Sequence, residues 1–194
     1  MSPIHRLQEY LTLNDPPQPA DLIFVLAGRM DRKPCGLELY RAGLAPRLLL
    51  SIGRFEVSKM ATIDFEAADE LIELRNRLPA DQRHFFYELN GSGMQIEQAR
   101  LSRSNTYGEI LGLWEYLKRC MPRSMIVISS DVHLRRVALT IEKVFPRVPL
   151  DVRYYAVPTH DRRYVLTEMI KLAGYRVILS LPKGLSRRIM RLRN

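Results

Sequence analysis

Residues 126–136 read IVISSDVHLRR: an apolar opening, then two serines, an aspartate, a histidine and two arginines. Continuous hydrophobicity at the start of such a run marks a strand covered on both faces, as in a parallel sheet sandwiched by helices. The polar residues that follow then stand where the strand ends and a helix begins. Similar apolar runs occur at 22–28 (LIFVLAG), 47–53 (RLLLSIG), 84–89 (HFFYEL) and 150–157 (LDVRYYAV), which makes five strand candidates with 125–130.

Between them the apolar residues fall at helical spacing. Ile63, Ala67, Leu71, Leu74 and Leu78 form one stripe; Ile110, Trp114, Leu117 and Met121 a second; Leu134, Val137, Ala138, Ile141 and Phe145 a third. Leu166, Met169, Ile170, Ala173 and Val177 form a fourth, and each predicts an amphipathic helix with that stripe buried. A shorter helix over 36–42 ends at Gly43, a left-handed cap. Alternating strand and helix predicts an α/β fold, a Rossmann-like three-layer sandwich with a mostly parallel five-stranded sheet and helices on both faces. The length, 194 residues, suits a single domain. Its expected parts are an N-terminal helix and Pro-rich linker over 1–19, a core over 21–157, and C-terminal helices with a basic tail over 161–194. The long stretch 90–104, NGSGMQIEQARLSRS, reads as a lid or binding loop, with a short helix over 95–101 as the rigid alternative.

In an open parallel sheet, ligands bind outside the carboxyl ends of the strands. The first strand ends in Gly28, Arg29 and Arg32, the second in Ser51, Gly53 and Arg54, and the fourth in Ser130, Asp131, His133 and Arg136. Small residues let backbone amides approach a ligand, and a guanidinium grips two oxygens, so the combination suits an anion. Ser130 or Asp131 is the expected helix N-cap, with His133 and Arg136 on one face of the first turn. A capping serine and a surface histidine are the plain structural reading of the same residues. Asn105 or Thr106 in SRSNTYGE caps the next helix or faces the same crevice. No GxGxxG, GxxxxGK[ST], GxSxG or HExxH motif is present. A metal site would need His160 and Asp161 to approach Asp131 and His133, so none is expected.

The net charge of +9 is concentrated in the tail, where Lys183, Arg187, Arg188, Arg191 and Arg193 occur with no acid among them. With Leu185, Ile189 and Leu192 at helical spacing, residues 183–193 are expected to contact an anionic membrane peripherally, or to form a solvated basic face. Nucleic acid is disfavoured, because aromatic stacking positions are not interleaved with the cations. Cys35 and Cys120 have no partner at metal or redox spacing, and no apolar run has the length of a signal core or a membrane span. A cytoplasmic protein, peripheral at the inner membrane face, is expected.

The ordered series DLIFVLAG, LELYRAGLAPRLLLSIG, SRSNTYGE and VISSDVHLRR resembles the YdcF/SanA/ElyC-like family of bacterial domains of largely unknown function. The resemblance implies site roles for Gly28, Arg32, Ser51, Gly53, Asn105, Thr106, Ser130, His133 and Arg136. Ala27, Ile52, and Gly108 with Glu109 depart from the family pattern. The resemblance further implies a small ligand, with S-adenosylmethionine attributed to the YdcF branch as cofactor or ligand and cell-envelope precursor metabolism to others. The expected function is binding of a small anionic molecule, nucleotide- or phosphate-bearing, with His133 as acid or base if the protein is an enzyme. A non-catalytic S-adenosylmethionine or nucleotide sensor is the alternative.

Overall fold

The computed structural model describes residues 3–60, 68–99, 105–145, 149–161, 163–182, 184–186 and 189. Its centre is a six-stranded sheet ordered β4-β3-β2-β1-β5-β6. The strands are β1 (Leu22–Val25), β2 (Arg47–Ile52), β3 (Phe85–Asn90), β4 (Gly93–Gln98), β5 (Ser124–Ser130) and β6 (Asp151–Val157). The helices are α1 (Pro3–Leu11), α2 (Arg32–Arg41), α3 (Val57–Met60), α4 (Ala68–Arg77), α5 (Thr106–Cys120), α6 (Asp131–Val144) and α7 (Arg163–Ser180).

The apolar strands serve two cores at once, because successive side chains point to opposite faces. Ile23, Val25, Leu48, Leu50, Ile126 and Ile128 face one side, where Leu37 of α2 and Leu71 of α4 pack. Leu22, Phe24, Leu49, Met125 and Val127 face the other, against Ile110 and Leu113 of α5 and Leu134 and Val137 of α6. The fit of α2 on the sheet is close: a Cβ added at Gly36 would lie 2.3 Å from Val25 Cγ2. Gly43, at φ +77°, follows the α2 C-cap as its sequence predicts.

Two expectations about the sheet need correction. It has six strands, not five, and β3 runs antiparallel to β2, with β4 antiparallel to β3. Residues 93–98, expected as part of a lid or as the start of a short helix, form β4; residues 100–104 lie outside those described. The cause is a two-residue hairpin: Asn90 pairs with Gly93, Asn90 Oδ1 accepts from the Ser92 amide at 2.9 Å, and Gly93 takes φ +120°. Met94 and Ile96 then alternate toward the core.

The C-terminal helix also departs from expectation. Val165, Glu168, Leu172 and Leu179 of α7 are buried, whereas Leu166, Ile170 and Val177 of the predicted stripe are exposed. Val165 and Leu172 meet Leu11 of α1 and Val132 of α6, and Leu179 packs with Tyr107 of α5. Tertiary contact with those two helices, rather than hydrophobic periodicity, sets the rotation of α7. The Pro-rich linker is engaged as well: Asp15 exchanges hydrogen bonds with Tyr154 at 2.7 and 2.8 Å, and Asn14 Oδ1 accepts from the Ala156 amide, so the chain covers the outer edge of β6. Of the helix expected over 63–78, Ile63 and Ala67 lie outside the described residues, as do tail residues 183, 187–188 and 190–194. Among the described residues, no helix is long and apolar enough to cross a membrane.

Candidate functional site

The chain leaves β1 toward α2 on one face of the sheet and leaves β5 toward α6 on the other, while β1 and β5 are hydrogen-bonded neighbours. That divergence opens a crevice at the carboxyl ends of these strands. A cleft of about 660 Å³ lies there. Of the residues expected in the site, Gly28, Gly53, Asn105, Thr106, His133 and Arg136 line it.

His133 is held at both ring nitrogens. Ser129 Oγ lies 2.9 Å from Nδ1 and Thr106 Oγ1 lies 3.1 Å from Nε2, so a hydroxyl stands ready for either neutral tautomer. Thr106 also accepts a hydrogen bond from Arg136 Nη1. Burial pushes the His133 imidazolium well below its ordinary range, and the charges of Arg136, Arg32 and Lys171 act in the same direction. The ring is therefore neutral at pH 7. Arg136 is paired with Glu168 of α7 through Nε at 3.0 Å and Nη2 at 2.8 Å, and its guanidinium lies 5.1 Å from the Tyr175 ring. Lys171 reaches the other Glu168 oxygen at 2.9 Å.

Arg29, Arg32, Ser51, Ser130 and Asp131 lie outside the cleft lining, whereas Arg54 of the second strand end borders it. Arg32 runs beneath Gly28, where it donates to the Ala27 carbonyl at 2.6 Å and to Ser130 Oγ at 2.8 and 3.2 Å. It ties the β1 end to the β5 end, and a Cβ at Gly28, already at φ +123°, would meet its guanidinium at 3.2 Å. Ser130 takes the N-cap position of α6 without a side-chain cap bond, because its hydroxyl accepts from Arg32. Asp131 accepts from the Val132 amide at 2.7 Å and from Gln8 of α1 at 2.8 Å. Arg29 donates to Thr159 and pairs with Asp31. Ser51 is fully buried and lies 2.7 Å from His84 Nε2. Asn105 caps α5 by accepting from the Gly108 amide at 2.8 Å.

Of the amides expected to cradle a ligand, that of Gly53 is already taken, and so is that of Ala27 beside Gly28. The Ala27 amide donates to Glu109 at 2.7 Å and the Gly53 amide to Glu56 at 2.8 Å. Glu56, Glu109 and His84 also line the cleft, and none was picked out as a site residue from the sequence. Beneath them Lys33, wholly buried, donates to the Leu26 carbonyl at 2.8 Å. Its Nζ lies 3.0 Å from Glu56 Oε1, a buried ion pair. Burial pushes the Glu109 carboxyl up, opposed by hydrogen bonds from Ser51 and the Ala27 amide and by Lys33 and Arg32. Burial pulls His84 down to about 4, with Glu56 opposing and Lys33 reinforcing.

Comparison with protein-family models, curated proteins and solved structures finds no match to this chain. The cleft's own chemistry is thus the ground for a functional reading.

One sequence signal did point at Glu56. It stands three residues after the strand-ending Gly53 and returns to that residue's amide, as a capping-box glutamate does. Glu109 sits three residues after Thr106, so both occupy one helix face. Lys33 carried no comparable signal, since a lysine at a helix start reads as solvated. Among the described residues, no three His, Cys, Asp or Glu side chains gather as metal ligands. His160 and Asp161 are exposed.

Proposed function

We propose that this protein binds a small phosphate-bearing metabolite, of the nucleotide or envelope-precursor kind, in the cleft between β1 and β5 and turns it over with His133 as acid–base group. The observation that carries the reading is the linked set Arg136–Thr106–His133–Ser129 on one wall of a cleft large enough for such a ligand. A guanidinium has five N–H groups, more than the three contacts to Glu168 and Thr106 use. With Lys171 beside it, Arg136 supplies positive charge for a phosphate. In phosphoryl transfer, a neutral His133 would accept the proton of the attacking hydroxyl as its bond to phosphorus forms, then return it to the departing oxygen. The resemblance to YdcF/SanA/ElyC-like domains at His133, Arg136, Asn105 and Thr106 supports the same reading.

The test is a thermal-shift and calorimetric panel of nucleotides, S-adenosylmethionine, isoprenoid phosphates and inorganic phosphate, preceded by native mass spectrometry of the purified chain. A phosphate-bearing ligand should raise Tm, with the shift lost in Arg136→Gln. His133→Asn should keep binding while abolishing turnover. Absence of any shift at millimolar ligand overturns the reading.

The acidic part of the lining favours a second reading. Glu56, Glu109 and His84 present acceptors suited to a ligand that carries a cationic or donor-rich end, such as S-adenosylmethionine. As a sensor, the protein would bind that ligand stoichiometrically and release it unchanged after long incubation.

A further inference from the structure

Helix α7 is apolar on two sides. Val165, Leu172 and Leu179 face inward. On the outside, Leu166, Ile170, Ala173 and Val177 recur at intervals of four, three and four, a straight seam about 16 Å long. Leu166 is 51% exposed, Ile170 76% and Val177 65%. Phe55, 73% exposed, borders the same cleft as Ile170 and extends the apolar area beyond the helix. A helix with apolar residues all round is ordinarily enclosed, whereas this one lies at the surface.

Charge identifies what covers the seam. Arg163 and Lys171 are exposed on α7, Arg176 is turned toward α1, where it donates to the Tyr10 hydroxyl, and the one acid, Glu168, is buried and held by Arg136 and Lys171. In the sequence, every charged residue after Asp161 except Glu168 is basic. A second copy would fit this face badly. Arg163 continues the seam one heptad before Ile170, and no acid is left to pair with the flanking cations across a helix–helix contact. Anionic lipid headgroups supply the missing charge, while Lys and Arg stems lie along the apolar boundary with their heads in the phosphate layer.

We propose that the outer face of α7, with Phe55 beside it, docks in the plane of an anionic bilayer surface. The seam enters the acyl boundary, and Arg163 and Lys171 meet the headgroups. Because Ile170 and Phe55 both border the cleft, its mouth then opens toward the membrane.

The experiment uses the full chain and sucrose-loaded vesicles of phosphatidylglycerol with phosphatidylcholine, or of phosphatidylcholine alone. Wild-type protein should co-sediment with the anionic vesicles and not the neutral ones. The double substitution Leu166→Ser with Val177→Ser, which keeps every basic residue, should lower partitioning at least about tenfold. Undiminished partitioning of that variant overturns the proposal, since tail charge alone would then account for binding. Equal binding to neutral vesicles also overturns it, as does a solution dimer that the double substitution converts to monomer. Val177→Trp gives an independent readout in a fully apolar face: its emission should shift to the blue on anionic vesicles, and an unshifted spectrum counts against docking.

Discussion

Two arginine–glutamate pairs sit at opposite ends of the sheet with the same geometry, Nε at 3.0 Å and Nη2 at 2.8 Å from one carboxylate oxygen, and differ in their surroundings. Arg136–Glu168, at the carboxyl ends, has both side chains 9% exposed; Arg47–Glu88, at the start of β2, has 28% and 12%. Arg47 also donates to Tyr116 at 2.7 Å and borders a shallow hollow of about 220 Å³. The cleft that Arg136 borders also holds His133, His84 and the carboxylates of Glu56 and Glu109, with the wholly buried Lys33 against Glu56, because strand ends, glycines and helix N-termini converge on that edge. At the other edge the pair clips β2 to β3 and α5, and water reaches it. An ion pair acquires chemical consequence from desolvation and from the proton-active groups beside it.

The most severe way to break the cleft end is Lys33→Met. It leaves Glu56 buried without its counter-charge and should cost about 3–5 kcal/mol, read from the guanidinium midpoint. Adding Glu56→Gln should restore part of that loss, since the orphaned charge is then gone.

Acid should separate the two ends next. His84 is held at about 4 when folded against about 6.5 when unfolded, so the unfolded chain binds more protons between those values. Stability is therefore complete above about pH 6.5 and falls as pH drops toward 4, by about 3 kcal/mol from this group. His133 is lowered in the same sense and adds to the acid limb. Urea unfolding from pH 7.5 to 4 checks the slope. His84→Gln should flatten it, while Arg47→Ala should leave it as in the wild type.

Glu168→Gln weakens the Arg136 pair while keeping its shape, and about 2 kcal/mol is expected from differential scanning calorimetry. The corresponding change at the other edge, Arg47→Ala, should cost no more than about 1 kcal/mol, because the pair is solvent-screened. If Arg47→Ala proved the more costly of the two, the contrast between the ends would collapse.

How far the site was legible in the sequence follows from the range of the forces involved. Asn105 as a cap and Gly43 as a left-handed terminator are local, and sequence spacing suffices for them. His133 and Arg136 at the end of β5 followed from the strand–helix rhythm, whereas Thr106 reaches the same edge only because the unforeseen β4 reverses the antiparallel β3. The β3–β4 hairpin was readable from Asn90 and Gly91 but was outweighed by the length of the segment. The Gly53 amide is taken locally, by Glu56 three residues on, whereas occupation of the Ala27 amide by Glu109 required a side chain from a helix distant in sequence.

By itself the sequence determined the strands β1, β2 and β5, their burial on both faces, the α/β alternation and the edge on which the reactive residues gather. Those features depend on periodicity and on the hydrophobicity of short windows. Only the tertiary structure decided that Arg32 braces the floor instead of lining it, that Lys33 is interior, that Glu168 meets Arg136, and that α7 turns Leu166, Ile170 and Val177 outward. The reason is physical: a charged side chain is tolerated inside only when a distant partner meets it, and a helix apolar on two sides takes its rotation from its neighbours.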